Sequence, residues 1–175
     1  PLVRLIMTSA VYGLASQGNA TNEDDETNFS HAAVRLLPAE VLLDALGQAL
    51  EKPQVLPNAP RSLRVTQFPT VASTDSFLRV FGKPDRLLTC ECERSSETNL
   101  AQAFQLINGN AVRRMLEADD NRIGRLLASA MDDAKILDEL SLTILGHLPN
   151  ATEATALIAH VKKSATPRKG WEDVV

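Results

Sequence analysis

The chain has 175 residues, of which 44% are hydrophobic and 23% are charged, and this composition is typical of a globular protein. Its formal net charge of −4 argues against a protein that binds the phosphate backbone of nucleic acid, because such a protein needs a basic face. The sequence has no apolar run of about 18 residues, so no membrane span is predicted. Aromatic residues make up only 4% of the chain, and a core of Leu, Ile, Val and Ala favours helices.

The first part of the chain predicts two helices separated by a loop. Residues 1–16 place apolar side chains near one face and predict a buried helix that breaks near Gly13. Residues 17–30 are polar and acidic without periodicity, and they predict a surface loop. A strong helix is predicted over 36–52, with Pro38 in its first turn. The predicted apolar stripe of that helix consists of Val41, Leu42, Ala45, Leu46, Ala49 and Leu50.

A proline-rich stretch interrupts this helical pattern. Four prolines between residues 53 and 69 exclude a long helix there, and the alternation in 62–68 predicts one short strand. Residues 73–85 predict a short helix that is capped by Ser73 or Thr74 and closed by Gly82.

The second half predicts a series of capped helices. Asn99 and Gln102 have the spacing of a capping box, in which each side chain bonds the backbone N–H of the other residue. The pair Asn108-Gly109 predicts a bend after this helix. Two further helices are predicted over 121–131 and 132–149. A second capping box, at Asn150 and Glu153, begins another helix that ends at Lys162 and Lys163. The last predicted helix starts at Gly170.

Together these elements predict an all-α fold. We expect a single, mainly helical domain over residues 1–175, with about six or seven helices, one Pro-rich extended excursion and a short β ribbon. The chain begins on an apolar segment without an initiator Met, and its last predicted helix continues past its last residue. We therefore expect a fragment of a longer chain, whose lack of a targeting segment says nothing about its compartment.

The two cysteines, Cys90 and Cys92, are the first candidates for chemistry. Thioredoxin-type redox sites separate their cysteines by two residues, whereas one residue separates these. The flanking Glu91 and Glu93 would raise the pKa of the thiols, which disfavours reactive thiolates. The three histidines are scattered without ligand spacing to the thiols. We expect a structural role for the pair, with a metal site and a redox accessory role as the alternatives.

Acidic residues provide two further candidates. The run 23–26 could hold Ca²⁺, but it lacks the alternating ligands and central Gly of an EF-hand loop, and we expect a solvated loop. Glu40 and Asp44 share one helix face and could perform acid–base chemistry, although such pairs are more often the solvent edge of an apolar stripe. Motifs for a nucleophile elbow, a phosphate loop, a dinucleotide site, a zinc protease and covalent haem attachment do not occur in the sequence. We expect no cofactor, and these absences favour a non-enzymatic role, with part of an active site as the alternative.

The order of several segments resembles a known family. These segments are "RLIMTSAVY", "RLLPAEVLLDAL", "FGKPDR", "CECERSSETNLAQAFQLING", "RIGRLLA", "ELSLTILGHLPNATEA" and "GWEDVV". They resemble planctomycete-specific domain one, or domain of unknown function fifteen-fifty-three, over nearly the whole chain. The most specific matches are Phe81, Pro84, Asp85, Cys90, Arg94, Gln102, Ala103, Leu106 and Asn108. Cys92 and Glu93 depart from the family pattern, which argues against an obligate two-thiol site. Leu148 and Gly13 are further departures.

The resemblance implies an exported protein of many domains. In this family the domain is C-terminal in large planctomycete and verrucomicrobial surface or periplasmic proteins, and it often accompanies a c-type cytochrome domain. We therefore expect a non-enzymatic structural or interaction module that docks another domain of the same polypeptide, such as the c-type cytochrome domain, or an extracellular polymer. The alternatives are part of an enzyme or of a metal or redox site beside the cytochrome, and a module associated with an extracellular polysaccharide. The residues expected to organise its central segment are Asp85, Cys90, Arg94, Asn99, Gln102 and Asn108.

Overall fold

A computed structural model describes residues 2–25, 27–55, 63–67, 75–83 and 99–175. These residues form α-helices and one 3-10 turn, and no strand occurs among them. The all-α class is confirmed, although the helices outnumber the six or seven expected because several are short. In chain order the α-helices are α1 Leu2–Met7, α2 Ala39–Ala49, α3 Ser76–Val80, α4 Leu100–Asn108, α5 Asn110–Glu117, α6 Arg122–Ala128, α7 Asp133–Ile144, α8 Ala151–Lys163 and α9 Pro167–Val174.

The chain divides into two compact units, and the first is Pro1–Leu37. Its helix α1 is exposed: Leu2 and Leu5 are 68% and 69% accessible, and no residue of α1 is buried. The predicted buried helix over 1–16 is therefore wrong in its burial and its length. The other described residues of this unit form turns, bends and irregular segments, in agreement with the loop predicted for 17–30.

The second unit, Pro38–Val175, contains the hydrophobic core. Its helix α2 begins after Pro38 and packs against α3, α7 and the 3-10 turn. Its buried face is rotated from the predicted stripe, because Leu43 is fully buried whereas Val41 is 39% accessible. The buried residues of α2 are Ala39, Glu40, Leu43 and Gly47.

The segment predicted as a short strand contains a 3-10 turn instead. This turn spans Val65–Gln67, and Val65 is buried in the core. The ends of the predicted strand lie outside the described residues. Helix α3 follows, capped by Asp75, whose carboxylate accepts from the N–H groups of Phe77 and Leu78. The prediction of a Ser73 or Thr74 cap is therefore wrong, because the carboxylate of Asp75 takes those bonds.

The two predicted capping boxes of the later helices are confirmed. Asn99 and Gln102 form a complete capping box at α4, and Asn150 and Glu153 form another at α8. Gly109 has an extended conformation between α4 and α5, which produces the predicted bend. Helices α6 and α7 begin after the side-chain caps Asn121 and Asp132.

The last helix begins earlier than predicted. Thr166 caps α9 and Pro167 occupies its first turn, so the helix starts before Gly170. Gly170 packs so closely on α8 that a Cβ there would lie 2.8 Å from Cα of Val161. The next residue, Trp171, is completely buried. The largest fully buried side chains of the core are Trp171, Phe77, Leu43, Leu78, Ile123, Leu126, Leu137, Leu140 and Val65.

Candidate functional site

The predicted site residues fall into two groups. Asp85, Cys90 and Arg94, with Cys92, lie outside the described residues, so their predicted roles remain predictions. Asn99 and Gln102 lie together at the start of α4, whereas Asn108 is exposed at the opposite end of the same helix.

Gln102 connects two helices through both ends of its amide. Its Oε1 accepts from the backbone N–H of Asn99 at 3.2 Å, and its Nε2 donates to the carbonyl oxygen of Val80 at 3.2 Å. The residue is only 8% accessible. A buried amide has to be hydrogen-bonded, and here those bonds join the start of α4 to the last turn of α3.

Glu40 lies in the interior instead of at the predicted solvent edge. The residue is 6% accessible, and its Oε1 lies 3.9 Å from Nζ of Lys83, whose side chain is also almost fully buried. A buried carboxylate requires a compensating charge or hydrogen bonds. The pair joins the first turn of α2 to the segment after α3, where Gly82 adopts a positive φ of 79°.

Asp44 holds the 3-10 turn. Its Oδ1 accepts from the N–H of Val65 at 2.8 Å, and its Oδ2 accepts from the N–H and hydroxyl of Thr66 at 3.0 and 2.8 Å. Both oxygens are thereby occupied. Glu40 and Asp44 share a helix, and each carboxylate contacts a different segment of the chain.

Arg122 joins α6 and α7 to the end of α2. Its Nε donates to the carbonyl oxygen of Ala49 at 2.6 Å, and its backbone N–H donates to the carbonyl oxygen of Leu50 at 2.9 Å. The guanidinium also contacts Glu139 at 3.1 Å and Glu51 at 3.3 Å, with the side chain only 13% accessible. The last carbonyls of a helix have no partner within the helix, and Arg122 supplies one.

Glu51 terminates α2 in a left-handed conformation, with φ of 56°. The N–H of Lys52 donates to the carbonyl oxygen of Gly47, and the N–H of Glu51 donates to the carbonyl oxygen of Gln48. These two bonds form a Schellman motif. Arg125 binds the Glu51 carboxylate through two bonds of 3.0 and 2.8 Å. The hydrogen bond from Arg125 lowers the pKa of Glu51 and raises the pKa of Arg125 itself.

A second arginine performs the same task at the end of α5. Arg168 Nη2 donates to the carbonyl oxygens of Leu116 and Ala118 at 2.7 and 2.8 Å, and its Nε binds Glu172 at 2.7 Å. The Nδ2 of Asn121, which is fully buried, donates to the carbonyl oxygens of Met115 and Leu116 at 2.8 Å. Sequence reasoning missed these two residues as backbone ligands, because both act on carbonyls of other segments.

Two clefts among the described residues are candidate binding sites. One, of about 440 Å³, lies beside the end of α2, and its charged lining includes Asp44, Glu51 and Arg122. These groups already bind other parts of the chain, as described above. The second lies in the loop 20–28, within the first unit.

Asp25 organises that second cleft. Its carboxylate accepts from the hydroxyl of Ser30 at 2.5 Å and from the backbone N–H groups of Thr27, Asn28 and Ser30. The hydrogen bond from Ser30 is the main cause of a pKa well below the usual range for Asp25. Among the described residues, no cluster of three or more His, Cys, Asp or Glu side chains is arranged to hold a metal ion. Glu23 and Asp24 of the acidic run are exposed.

A family model described as PSD1, a protein of unknown function (DUF1553), matches residues 1–161. The chain belongs to this family. The family resemblance noted from the sequence is thereby confirmed. The PSD1 match ends within α8, which ends at Lys163. No curated protein and no solved structure matches the chain. No helix in the described part of this PSD1 domain is long and apolar enough to cross a membrane.

Proposed function

We propose that this PSD1 domain is a non-enzymatic structural and interaction module that docks onto another domain of a larger exported polypeptide. The proposal depends on one observation: half-buried polar side chains of the domain bind its own backbone. Asp44, Arg122 and Arg168 bind backbone groups where the chain reverses or where a helix ends. Side chains engaged in this way stabilise a scaffold, whereas a catalytic group has to face its substrate.

The surface supports the docking part of the proposal. Large apolar side chains remain exposed on several helices and turns, including Leu145 and Leu148 after α7, at 61% and 54% accessibility. Single exposed leucines are ordinary, but clusters of them are typical of surfaces that bind a partner.

The compartment and the neighbouring domains belong to the proposal as well. The family resemblance supports export to the periplasm or cell surface and a c-type cytochrome domain in the same polypeptide. The docked domain would be one of those neighbours, and this module would fix its position.

Calorimetry of the isolated chain and of the whole gene product tests the proposal. A docked partner binds only the folded domain and therefore raises its melting temperature. We expect the unfolding transition of this domain at a higher temperature in the whole product than in the isolated chain. Equal melting temperatures would contradict docking. A stoichiometric metal in the freshly purified chain that is lost on Cys90→Ser would instead support the metal-site alternative.

A further inference from the structure

Helix α4 has its apolar side outward. Its sequence LAQAFQLIN places Leu100, Ala103, Phe104 and Ile107 at positions i, i+3, i+4 and i+7, the spacing of an apolar helix face. Three of these side chains are among the most exposed of the second unit: Leu100 is 72%, Phe104 59% and Ile107 75% accessible. The one buried residue of α4 is the amide Gln102. We refer to these four outward residues as the α4 stripe.

The α4 stripe is held firmly in place. The capping box fixes the start of the helix, and Gln102 ties it to α3 through the carbonyl oxygen of Val80. At the other end the N–H of Gly109 donates to the carbonyl oxygen of Gln105 at 3.0 Å, and the chain continues directly into α5. Because the buried polar contacts hold the helix, its apolar face is presented to solvent in a defined orientation.

The composition of α4 indicates the chemistry of its partner. The helix contains no charged residue over its nine positions, so α4 itself offers a partner apolar and amide groups but no charge. An apolar stripe at this spacing fits an apolar groove, as in helix-in-groove recognition. The partner surface is therefore a groove lined by aliphatic or aromatic side chains.

The area of the stripe decides between a tethered and a freely diffusing partner. With about 200 Å² for a fully exposed residue of this size, the stripe exposes on the order of 400 Å². A stable interface between separate chains needs about 800 Å² from each side. The stripe is too small for a stable dimer, but it suffices for a domain that a linker keeps at roughly millimolar effective concentration.

We propose that the α4 stripe docks into an apolar groove on another domain of the same polypeptide. This inference rests on the proposed function, because it assigns a surface and a partner chemistry to the docking described there. Phe104 and Ile107 are the anchors, since they combine large size with high exposure.

Hydrogen exchange in the whole gene product tests this assignment. We expect the amides of residues 103–108 to exchange at least about tenfold more slowly in the whole product than in the isolated chain. The double variant Phe104→Ser/Ile107→Ser should abolish this difference. The matched control Val55→Ser, at a comparably exposed apolar residue outside α4, should keep it. All isolated variants should melt within a few degrees of the parent chain, because the substituted side chains are exposed.

Three outcomes would overturn the inference. If the exchange of α4 is unchanged and other parts of the domain become protected, the α4 stripe is not the docking surface, but the proposed function still holds. No protection anywhere and no thermal shift would refute both. A dimer of the isolated chain, detected by light scattering and lost in the double variant, would identify a second copy as the partner and not a tethered domain.

Discussion

At the scale of single residues, two arginines bind the ends of helices that are distant in the sequence. Arg122 binds the carbonyl oxygen at the end of α2, and Arg168 binds two carbonyl oxygens at the end of α5. A guanidinium presents several donors in a rigid plane, and a cation is favourable at the negative end of a helix. These residues satisfy carbonyl groups that the helices themselves leave without partners.

Substitution of Arg122 should therefore cost more than substitution of Arg125. Both contact Glu51, but the Arg122 side chain is 13% accessible and Arg125 is 53% accessible. We expect Arg122→Ala to lower the free energy of unfolding by about 2 kcal/mol, because it removes charged hydrogen bonds from a half-buried site. Arg125→Ala should cost less than about 1 kcal/mol, since its ion pair is largely exposed. Urea denaturation measures both, and equal losses would contradict this account.

At the scale of secondary structure, side-chain caps determine where the later helices begin. Asn99, Asn121, Asp132, Asn150 and Thr166 each accept a hydrogen bond from a backbone N–H of the first turn that follows. Such a bond satisfies a donor that has no partner within the helix. Because these contacts span only two or three residues, the boxes at Asn99 and Asn150 were predictable from the sequence, whereas the caps Asn121 and Thr166 were not predicted.

The cap of α8 provides a direct test. Asn150 accepts from the N–H groups of Thr152 and Glu153, and its own N–H donates to the Glu153 carboxylate. We expect Asn150→Ala to lower the free energy of unfolding by about 1 kcal/mol. The control Thr155→Ala, on the same helix and exposed, should be neutral or slightly stabilising because Ala has the higher helix propensity. Thermal and urea unfolding measure both variants, and a loss as large for Thr155→Ala would refute the role of the cap.

At the scale of the second unit, acidic side chains with lowered pKa values contribute to its stability. The pKa of Glu51 is lowered by the hydrogen bond from Arg125, that of Asp120 by Lys52, and that of Asp132 by the backbone N–H of Lys135. A group whose folded pKa lies below its unfolded value favours folding in its ionised form. This contribution is complete above the ordinary range near pH 4 and is lost as the pH falls below it.

Stability should therefore decline in acid. We expect the free energy of unfolding to fall progressively below about pH 4.5, with a smaller decline in Asp132→Asn. Asn keeps the capping acceptor but does not titrate, so this variant isolates the titration of residue 132. Urea denaturation across pH 7 to pH 2.5 measures the slope. A slope that is the same in Asp132→Asn as in the parent chain would contradict the assignment.

The sequence by itself determined the helical class and several helix boundaries. The boxes at Asn99 and Asn150 and the bend at Gly109 depend on neighbours a few residues away. The same is true of the opposite charges of Arg113 and Glu117, which pair one helical turn apart. The residues that form these contacts are three or four positions apart, so their spacing in the sequence is enough to predict the contacts.

Only the tertiary structure decided which faces are buried. The same 3.6-residue period fits a stripe through Val41 or through Leu43, and the packing of α3 and α7 on α2 selects Leu43. The apolar stripe of α4 faces solvent, while Glu40 and Trp171 lie inside. Arg122 binds Ala49, 73 positions away. Burial and such distant bonds depend on what other elements place nearby, and periodicity within one helix carries no information about its neighbours.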